Sequence, residues 1–374
     1  MEPRFIIKTH TRSLRPGNFS ILISKCTYPD RSSPSETVCN RLAGFLKRFY
    51  KNEEEIKLGK REPTYRSVAA NTLLVAQKRY FGFLQDNMIW SWKGDVIHCV
   101  LSYLGKDKLL EESVGCFFDL EKLEKIIYLR YFLDRDGALI LEIAKKIEEK
   151  GQVNYSELAH SIQDIFDKIY DEYSDMAIDF REKIRIKQRF KEMHKQMKRE
   201  SYEPSTLPHK VKPIIEALKD MGILVIKKDK DEEFYESKTY NGISAIKSIV
   251  QELQDFQTME KVFDKYQYFY VIGKIFNLIP TCYNQEFHSS LLWEALLDGY
   301  LRMKDKVYGL ANIDALADWC CIKMLSVDNI LVKRDNVLQF LDDMRRKDSS
   351  SIRYHVNGKG RIAYLILAKY HEQR

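Results

Sequence analysis

Between Arg181 and Glu200 nine cations stand against three acids, a net +6 over twenty residues. The cations are Arg181, Lys183, Arg185, Lys187, Arg189, Lys191, Lys195, Lys198 and Arg199; the acids are Glu182, Glu192 and Glu200. Ile186, Phe190, Met193 and Met197 step by four, three and four, so the segment is expected to be an amphipathic helix with one apolar stripe and a cationic remainder. Such a helix can lie along a polyanion, where each phosphate contact releases a counterion and makes binding steeply salt-dependent. A second set of cations, Arg353, His355, Lys359 and Arg361, falls near the C-terminus. It surrounds Asn357-Gly358, an Asn-Gly pair between two alternating runs, which is the strongest short-range hairpin signal. Alternation places these cations opposite Ile352, Tyr354, Ile362 and Tyr364, or at the tip. A two-residue turn there would need positive φ at both Asn357 and Gly358.

Enzymatic chemistry has less to stand on. Pro29-Asp30 followed by Glu55-Ile56-Lys57 resembles the PD…(D/E)xK pattern of many nucleases, in which Asp30 and Glu55 would hold Mg²⁺ and Lys57 would sit beside the attacking water. Asp30 lies in a Ser/Pro-rich loop and Glu55 ends an acidic run, which favours a chance match in solvated chain. There is no P-loop, G-x-S-x-G, H-E-x-x-H or G-x-G-x-x-G motif. The seven cysteines are scattered with no C-x-x-C, and the neighbours His98 and Cys99 point apart on a helix, so reduced thiols and no zinc site are expected. No catalytic residue, metal or cofactor is expected.

The elements that must position these groups recur as a helix, a glycine and a short β-ribbon. In the first instance a helix from Pro63 stops near Gly82, and Phe83-Leu84 and Met88-Ile89-Trp90 flank a turn at Gln85-Asp86-Asn87. Trp90 and Trp92 would then share the buried face of a strand. In the second, helices at Leu120–Tyr131 and Leu139–Ile147, separated near Asp136-Gly137, precede a third helix capped by Ser156. After the basic insertion, Pro208 opens a helix ending at Gly222, and Ile223–Ile226 and Glu233–Tyr235 flank a charged turn. The third instance pairs helices at Ala315–Leu325 and Asn336–Met344 with the C-terminal hairpin. Outside this pattern, a strand at Ser20–Ser24 and a helix at Asn40–Tyr50 are expected. The organisation is a segment 1–62, units at 63–118 and 119–255 (the latter with the insertion at about 181–200), and a helical segment plus unit at 256–374.

The run LPHKVKPIIEALKDMGILVIKKDKDEEFYE resembles the helix and wing of a winged-helix domain, a helix-turn-helix variant. The fold class implied is mainly α with small β-hairpin wings, in tandem winged-helix domains. In that family the helix before the wing enters the major groove. The resemblance therefore assigns His209, Lys210 and Lys212 to that helix, and Lys227 and Lys228 to the wing. Tyr65–Phe81, with Arg66, Gln77, Lys78 and Arg79, is the equivalent helix of the first unit. Two departures stand out: an insertion of about 35 residues, and acids (Asp229, Asp231, Glu232) mixed into the wing tip. Tandem winged helices resemble the recognition portions of some restriction enzymes, replication initiators and anti-phage defence proteins, and also adaptor subunits that grip a partner protein.

The balance of the chain agrees with such a role without requiring it. Its 374 residues carry 61 Lys+Arg against 54 Asp+Glu, a net +7, with 44% hydrophobic and 12% aromatic residues. This excludes a disordered chain and a fibrous one. No apolar run is long enough to span a bilayer, and MEPRFIIKTHTR lacks the apolar core of a secretory signal, so a cytoplasmic protein is expected. The expected partner is double-stranded DNA, with no membrane. The alternatives are an adaptor for a separately encoded ATPase or nuclease, and a PD-(D/E)xK-like nuclease.

Overall fold

The computed structural model describes residues 14–52, 65–77, 80–109, 111–177, 179–188, 191, 208–229, 232–264, 267–278, 289–305, 307–358 and 360–371. The chain is mainly helical, with small antiparallel sheets. The N-terminal part is a set of packed helices. Helix α1 (Pro16–Ile21), opened by Pro16 in its first turn, runs into a π-helical turn at Leu22–Cys26. The strand expected at Ser20–Ser24 is therefore helical. Residues 16–23 are buried on all sides, so the run has no polar period to separate helix from strand. Helix α2 (Ser35–Asn52) covers the helix expected at Asn40–Tyr50, and α3 (Tyr65–Ala76) packs on it.

The first expected wing does not form a ladder among the described residues. Residues 77–90 make only single bridges, Gln77 to Leu84, Leu84 to Trp90 and Tyr28 to Ile89. Phe83, Leu84, Met88 and Trp90 are all buried, and the Trp90 Nε1 donates to Thr27 Oγ1 at 2.8 Å. With side chains of both parities in the core, the segment is held from its flanks and does not project. Trp92 lies on no strand; it begins α4 (Trp92–Tyr103), which Ser91 caps by accepting from the Lys93 and Gly94 amides.

Helix α5 (Lys122–Lys150) spans what the sequence splits into two helices. The split survives as a kink at Asp136 (φ −119°, ψ 17°), where Gly137 lets Met259 and Phe263 approach to 3.1 Å of where a Cβ would stand. Next come β1 (Gln152–Asn154), α6 (Tyr155–His160) and α7 (Ile162–Met176). Asn154, not Ser156, caps α6, in a reciprocal capping box with Glu157. Residues 180–188 form a helix, α8. Helix α9 (Pro208–Asp220) and the hairpin β2 (Leu224–Asp229) and β3 (Glu232–Ser237) follow. The sheet order is β1-β3-β2, with Tyr235 between Val153 and Ile226. A small ladder, β4 (Thr239–Tyr240) and β5 (Ile243–Ser244), leads to α10 (Ala245–Leu253), α11 (Phe256–Asp264) and α12 (Tyr268–Ile275).

The C-terminal part follows a shorter path of the same kind, with two helices rather than four between its first strand and its hairpin. Helix α13 (Ser289–Met303), β6 (Ala311–Asn312), α14 (Ile313–Val327) and α15 (Arg334–Lys347) precede a hairpin, β7 (Ile352–Val356) and β8 (Ile362–Leu367). The sheet order is β6-β8-β7, the same as in the middle unit. Strands β1 and β6, three and two residues long, carry no alternation that a sequence could display.

One continuous apolar core runs through all these parts. Within it, charges meet where α4, α5, α14 and α15 converge. Arg130 Nε lies 2.9 Å from Asp318 Oδ2, and Arg334 pairs with Asp318 and Asp314. Lys93 Nζ and the Tyr268 hydroxyl both reach Asp134, at 3.1 and 2.8 Å. Burial alone would push the Arg130 guanidinium down, but Asp318 and Asp134 hold it above its ordinary value. Among the described residues no helix is long and apolar enough to cross a membrane.

Candidate nucleic-acid interface

Helix α8 presents the cationic face the sequence predicts. Lys183, Arg185, Lys187 and Lys191 are exposed, and Ile186 is fully buried beneath them. Phe180 and Ile184, four residues apart, are exposed as well. Arg189, Lys195 and the rest of the stripe (Phe190, Met193, Met197) lie outside the described residues.

Helix α9 is placed differently from the expectation. None of residues 211–220 is exposed. Val211, Ile214, Ile215, Ala217 and Leu218 face the core, and Asp220 is held by Arg15 in a two-bond ion pair at 2.8 and 3.1 Å. Burial raises the Glu216 carboxyl above its usual range. Lys212 is half-buried, its ammonium 5.7 Å over the Tyr155 ring. The side chains of His209 and Lys210 are outside the described residues. Over residues 211–220, α9 is mainly a packing element, with Lys212, Glu216, Lys219 and Asp220 half-buried along its outer side. The hairpin after it is electrostatically satisfied within itself: Lys227 pairs with Glu236 at 2.6 Å and Lys228 with Glu233 at 3.8 Å across the strands. The acids mixed into this segment are what neutralise it.

In the repeated unit the equivalent helix is open. Along α15, Arg334, Val337 and Leu341 are buried, while Asp335, Asn336, Gln339, Asp342, Asp343, Arg345, Arg346 and Lys347 are exposed. Asn336, Gln339, Asp343 and Arg346 form one outward stripe, and the last turn carries three cations. Sequence reasoning passed over this helix in favour of the middle one. The signal available was its low apolar content and its amides at i and i+3.

The C-terminal hairpin forms where expected, with Arg353, His355 and Arg361 exposed. Lys359 is outside the described residues. Two expectations are corrected. First, the turn is longer than two residues. The Asn357 amide donates to the Arg361 carbonyl at 2.8 Å, the Gly360 amide to the Asn357 carbonyl at 2.9 Å, and Gly360, not Gly358, adopts positive φ (+73°). Second, Tyr354 stands opposite Leu365 and Ile352 opposite Leu367, so the inner face of β8 is Leu365 and Leu367. Ile362 and Tyr364 are exposed. One step along β7, from His355 to Val356, is matched by two along β8, which makes Ala363 the extra residue of a bulge.

In the first unit, Arg66 pairs with Glu36 at 2.9 Å and Gln77 sits beyond the end of α3; Lys78 and Arg79 are outside the described residues. Asp30 lies in an exposed bend, and Glu55 and Lys57 are outside the described residues. The loop before β6 was not singled out in the sequence. Asp305 accepts from the amides of Val307, Tyr308 and Leu310, at 2.6 to 2.9 Å, and this turn displays Val307 and Tyr308 to solvent. Compared with known proteins, the chain matches no family model, no curated protein and no solved structure.

Proposed function

We propose that the chain is a non-enzymatic DNA-binding protein whose two like-connected units, 122–237 and 289–367, are winged helices. The strand order 1-3-2 in both sheets supports that reading, with two helices between the first strand and the hairpin in the C-terminal unit and four in the middle one. The observation that carries the function is the exposure of cations on α8, on the last turn of α15 and on the C-terminal hairpin, while the middle hairpin pairs its lysines with its own glutamates. The C-terminal unit is then the one that meets duplex DNA. Its outward amides have the chemistry of base-edge contacts, as does Arg346 on exchanging its exposed pairing with Asp343, 4.0 Å away, and Lys347, Arg353 and Arg361 have that of phosphate contacts.

Titrating the full chain against random-sequence duplex at two salt concentrations tests this. Binding should weaken steeply with salt, log K falling by about 0.9 per phosphate contacted. A second reading, an adaptor for a partner protein, draws on the rigid display of Val307 and Tyr308, 73% and 67% exposed. Absence of duplex binding at low salt would favour it.

A further inference from the structure

We propose that α7 and α8 are the two halves of a contact between copies of this chain, in which the acidic row of α7 receives the cationic row of α8 from a second copy. The contact stands independently of DNA binding. Residues 162–179 hold six acids against the single cation Lys168, a net −5, and the +6 segment 181–200 follows directly. On α7 the apolar side is buried, through Ile162, Ile165, Phe166, Ile169 and Tyr173. With about 3.6 residues per turn, Asp164, Asp171 and Asp175 fall on the opposite side, and all three are exposed. Lys168 is engaged elsewhere, its ammonium 2.8 Å from Glu142 of α5. The helix is firmly seated, since the buried Tyr173 hydroxyl donates to Glu260 at 2.9 Å. Its acidic row is therefore presented in a fixed geometry.

Helix α8 matches that row in spacing as well as in sign. Asp179 opens it by accepting from the Glu182 amide at 2.8 Å. Lys183, Lys187 and Lys191 are exposed and follow at four-residue steps, about 6 Å each along the axis. The lysine row is about 12 Å long and the row from Asp164 to Asp175 about 16 Å. Phe180 and Ile184 lie on the same side of α8, away from the buried Ile186, and are 77% and 38% exposed. Phosphates give such side chains nothing to pack on, whereas a protein helix does. On α7 the half-buried Tyr170 adjoins the acidic row. Both rows are exposed within one chain, so they do not cover each other there. Between two copies, α7 repels α7 and α8 repels α8, which leaves α7 against α8 as the favourable pairing. Exposed ion pairs are individually weak, so this contact needs the whole row and is sensitive to salt.

The test is sedimentation velocity of the full chain, without nucleic acid, from about 10 to about 500 µM, the range suited to a contact built on exposed pairs. For wild type the weight-average mass should rise with concentration at about 0.1 M salt. It should return to that of one chain at about 1 M, where the Debye length has shrunk to about 3 Å. Two charge-reversed chains supply the decisive comparison. One carries Asp164→Lys, Asp171→Lys and Asp175→Lys; the other carries Lys183→Glu, Lys187→Glu and Lys191→Glu. Each alone should stay a single chain at about 0.1 M salt, because its two rows now have the same sign. An equal mixture of the two should associate again, because each row then finds its opposite on the other chain. All six positions are exposed, and thermal melting checks the fold of each variant. Where a reversal lowers the melting temperature, Asp164→Asn with Asp171→Asn and Asp175→Asn, or Lys183→Gln with Lys187→Gln and Lys191→Gln, takes its place and should associate less than wild type. A wild type that remains a single chain at about 0.1 M salt overturns the contact, as does association that survives about 1 M salt. A reversed chain that still associates alone, or a mixture that does not, overturns it equally.

Discussion

Gly360 and Gly358 stand two residues apart in one turn and differ in what the backbone asks of them. Gly360 has φ +73°; a Cβ there meets no atom, so its constraint is conformational alone. Gly358 is under neither constraint. Gly360→Val should therefore destabilise the hairpin by about 1–2 kcal/mol, while Gly358→Val should be nearly neutral. Hydrogen exchange of the β7 and β8 amides measures the difference; equal protection in both variants would contradict it. Gly299 on α13 is the opposite case, ordinary in its backbone and crowded in its surroundings. A Cβ there would run into the fully buried indole of Trp319, whose Nε1 donates to the Ala295 carbonyl at 3.0 Å. Gly299→Ala should cost about 1–3 kcal/mol by overpacking, read as a shift in the urea midpoint. At this scale the sequence located the turn, from Asn357 to Gly360, but not which of its residues is left-handed. The residue that takes the left-handed conformation lies beyond the segment that the Asn-Gly pair marks.

Among the elements, α8 is placed as expected and α9 is not. The sequence shows α8 clearly, because charges on one side and Ile186 on the other make a pattern of helical period. It shows α9 equally clearly as a helix, but amphipathic spacing does not say that Arg15 and the surrounding core will cover the polar side as well. The exposed cations of α8 give the sharpest element-scale prediction. Changing Lys183, Arg185, Lys187 and Lys191 together to Gln should weaken duplex binding at all sequences and flatten the salt slope by roughly three to four units, with Ile186 and the fold untouched. A salt titration with an unchanged slope would remove α8 from the interface. The β8 strand shows why alternation failed at the wing. Its sequence, IAYLIL, is apolar at every position, so either parity could have been the inner one, and the register with Ile352 and Tyr354 decided it. Strands β1 and β6 were illegible for a simpler reason, since two or three residues cannot show a period.

At the scale of the whole molecule, the ionic junction ties segments distant in sequence into one body. Asp318, 1% exposed, answers both Arg130 and Arg334, and the Arg130 guanidinium also lies 4.5 Å from the Tyr268 ring centre. Removing the carboxylate charge leaves two buried guanidinium groups short of a partner. Asp318→Asn should accordingly cost about 3–5 kcal/mol. Because α4, α5, α14 and α15 all meet there, the loss should be felt by the entire chain. Calorimetry should show a single transition moved to lower temperature. Two separated transitions in the variant, with only the C-terminal part destabilised, would show that the junction does not couple the units. The first expected hairpin does not form among the described residues, while helix content and the second and third of the expected hairpins could be anticipated from the residues. This junction could not, because Arg130 is remote in sequence from Asp318 and Arg334, and the three carry no local pattern.

The connection between α7 and α9 runs through residues 177–207, whereas α14 is joined to α15 through residues 328–333. Closing a flexible loop costs free energy that grows with the logarithm of its length. For these two lengths the longer connection is disfavoured by about 1.5 kcal/mol relative to the shorter when both are treated as free chain. The C-terminal unit reaches the helix before its hairpin over a handful of residues. The middle unit therefore carries a closure cost that the C-terminal unit avoids, and burying Ile186, worth about 1.5–3 kcal/mol, is of the size that offsets it. Trimming that connection should therefore leave stability nearly unchanged while removing the charge that α8 holds away from the core.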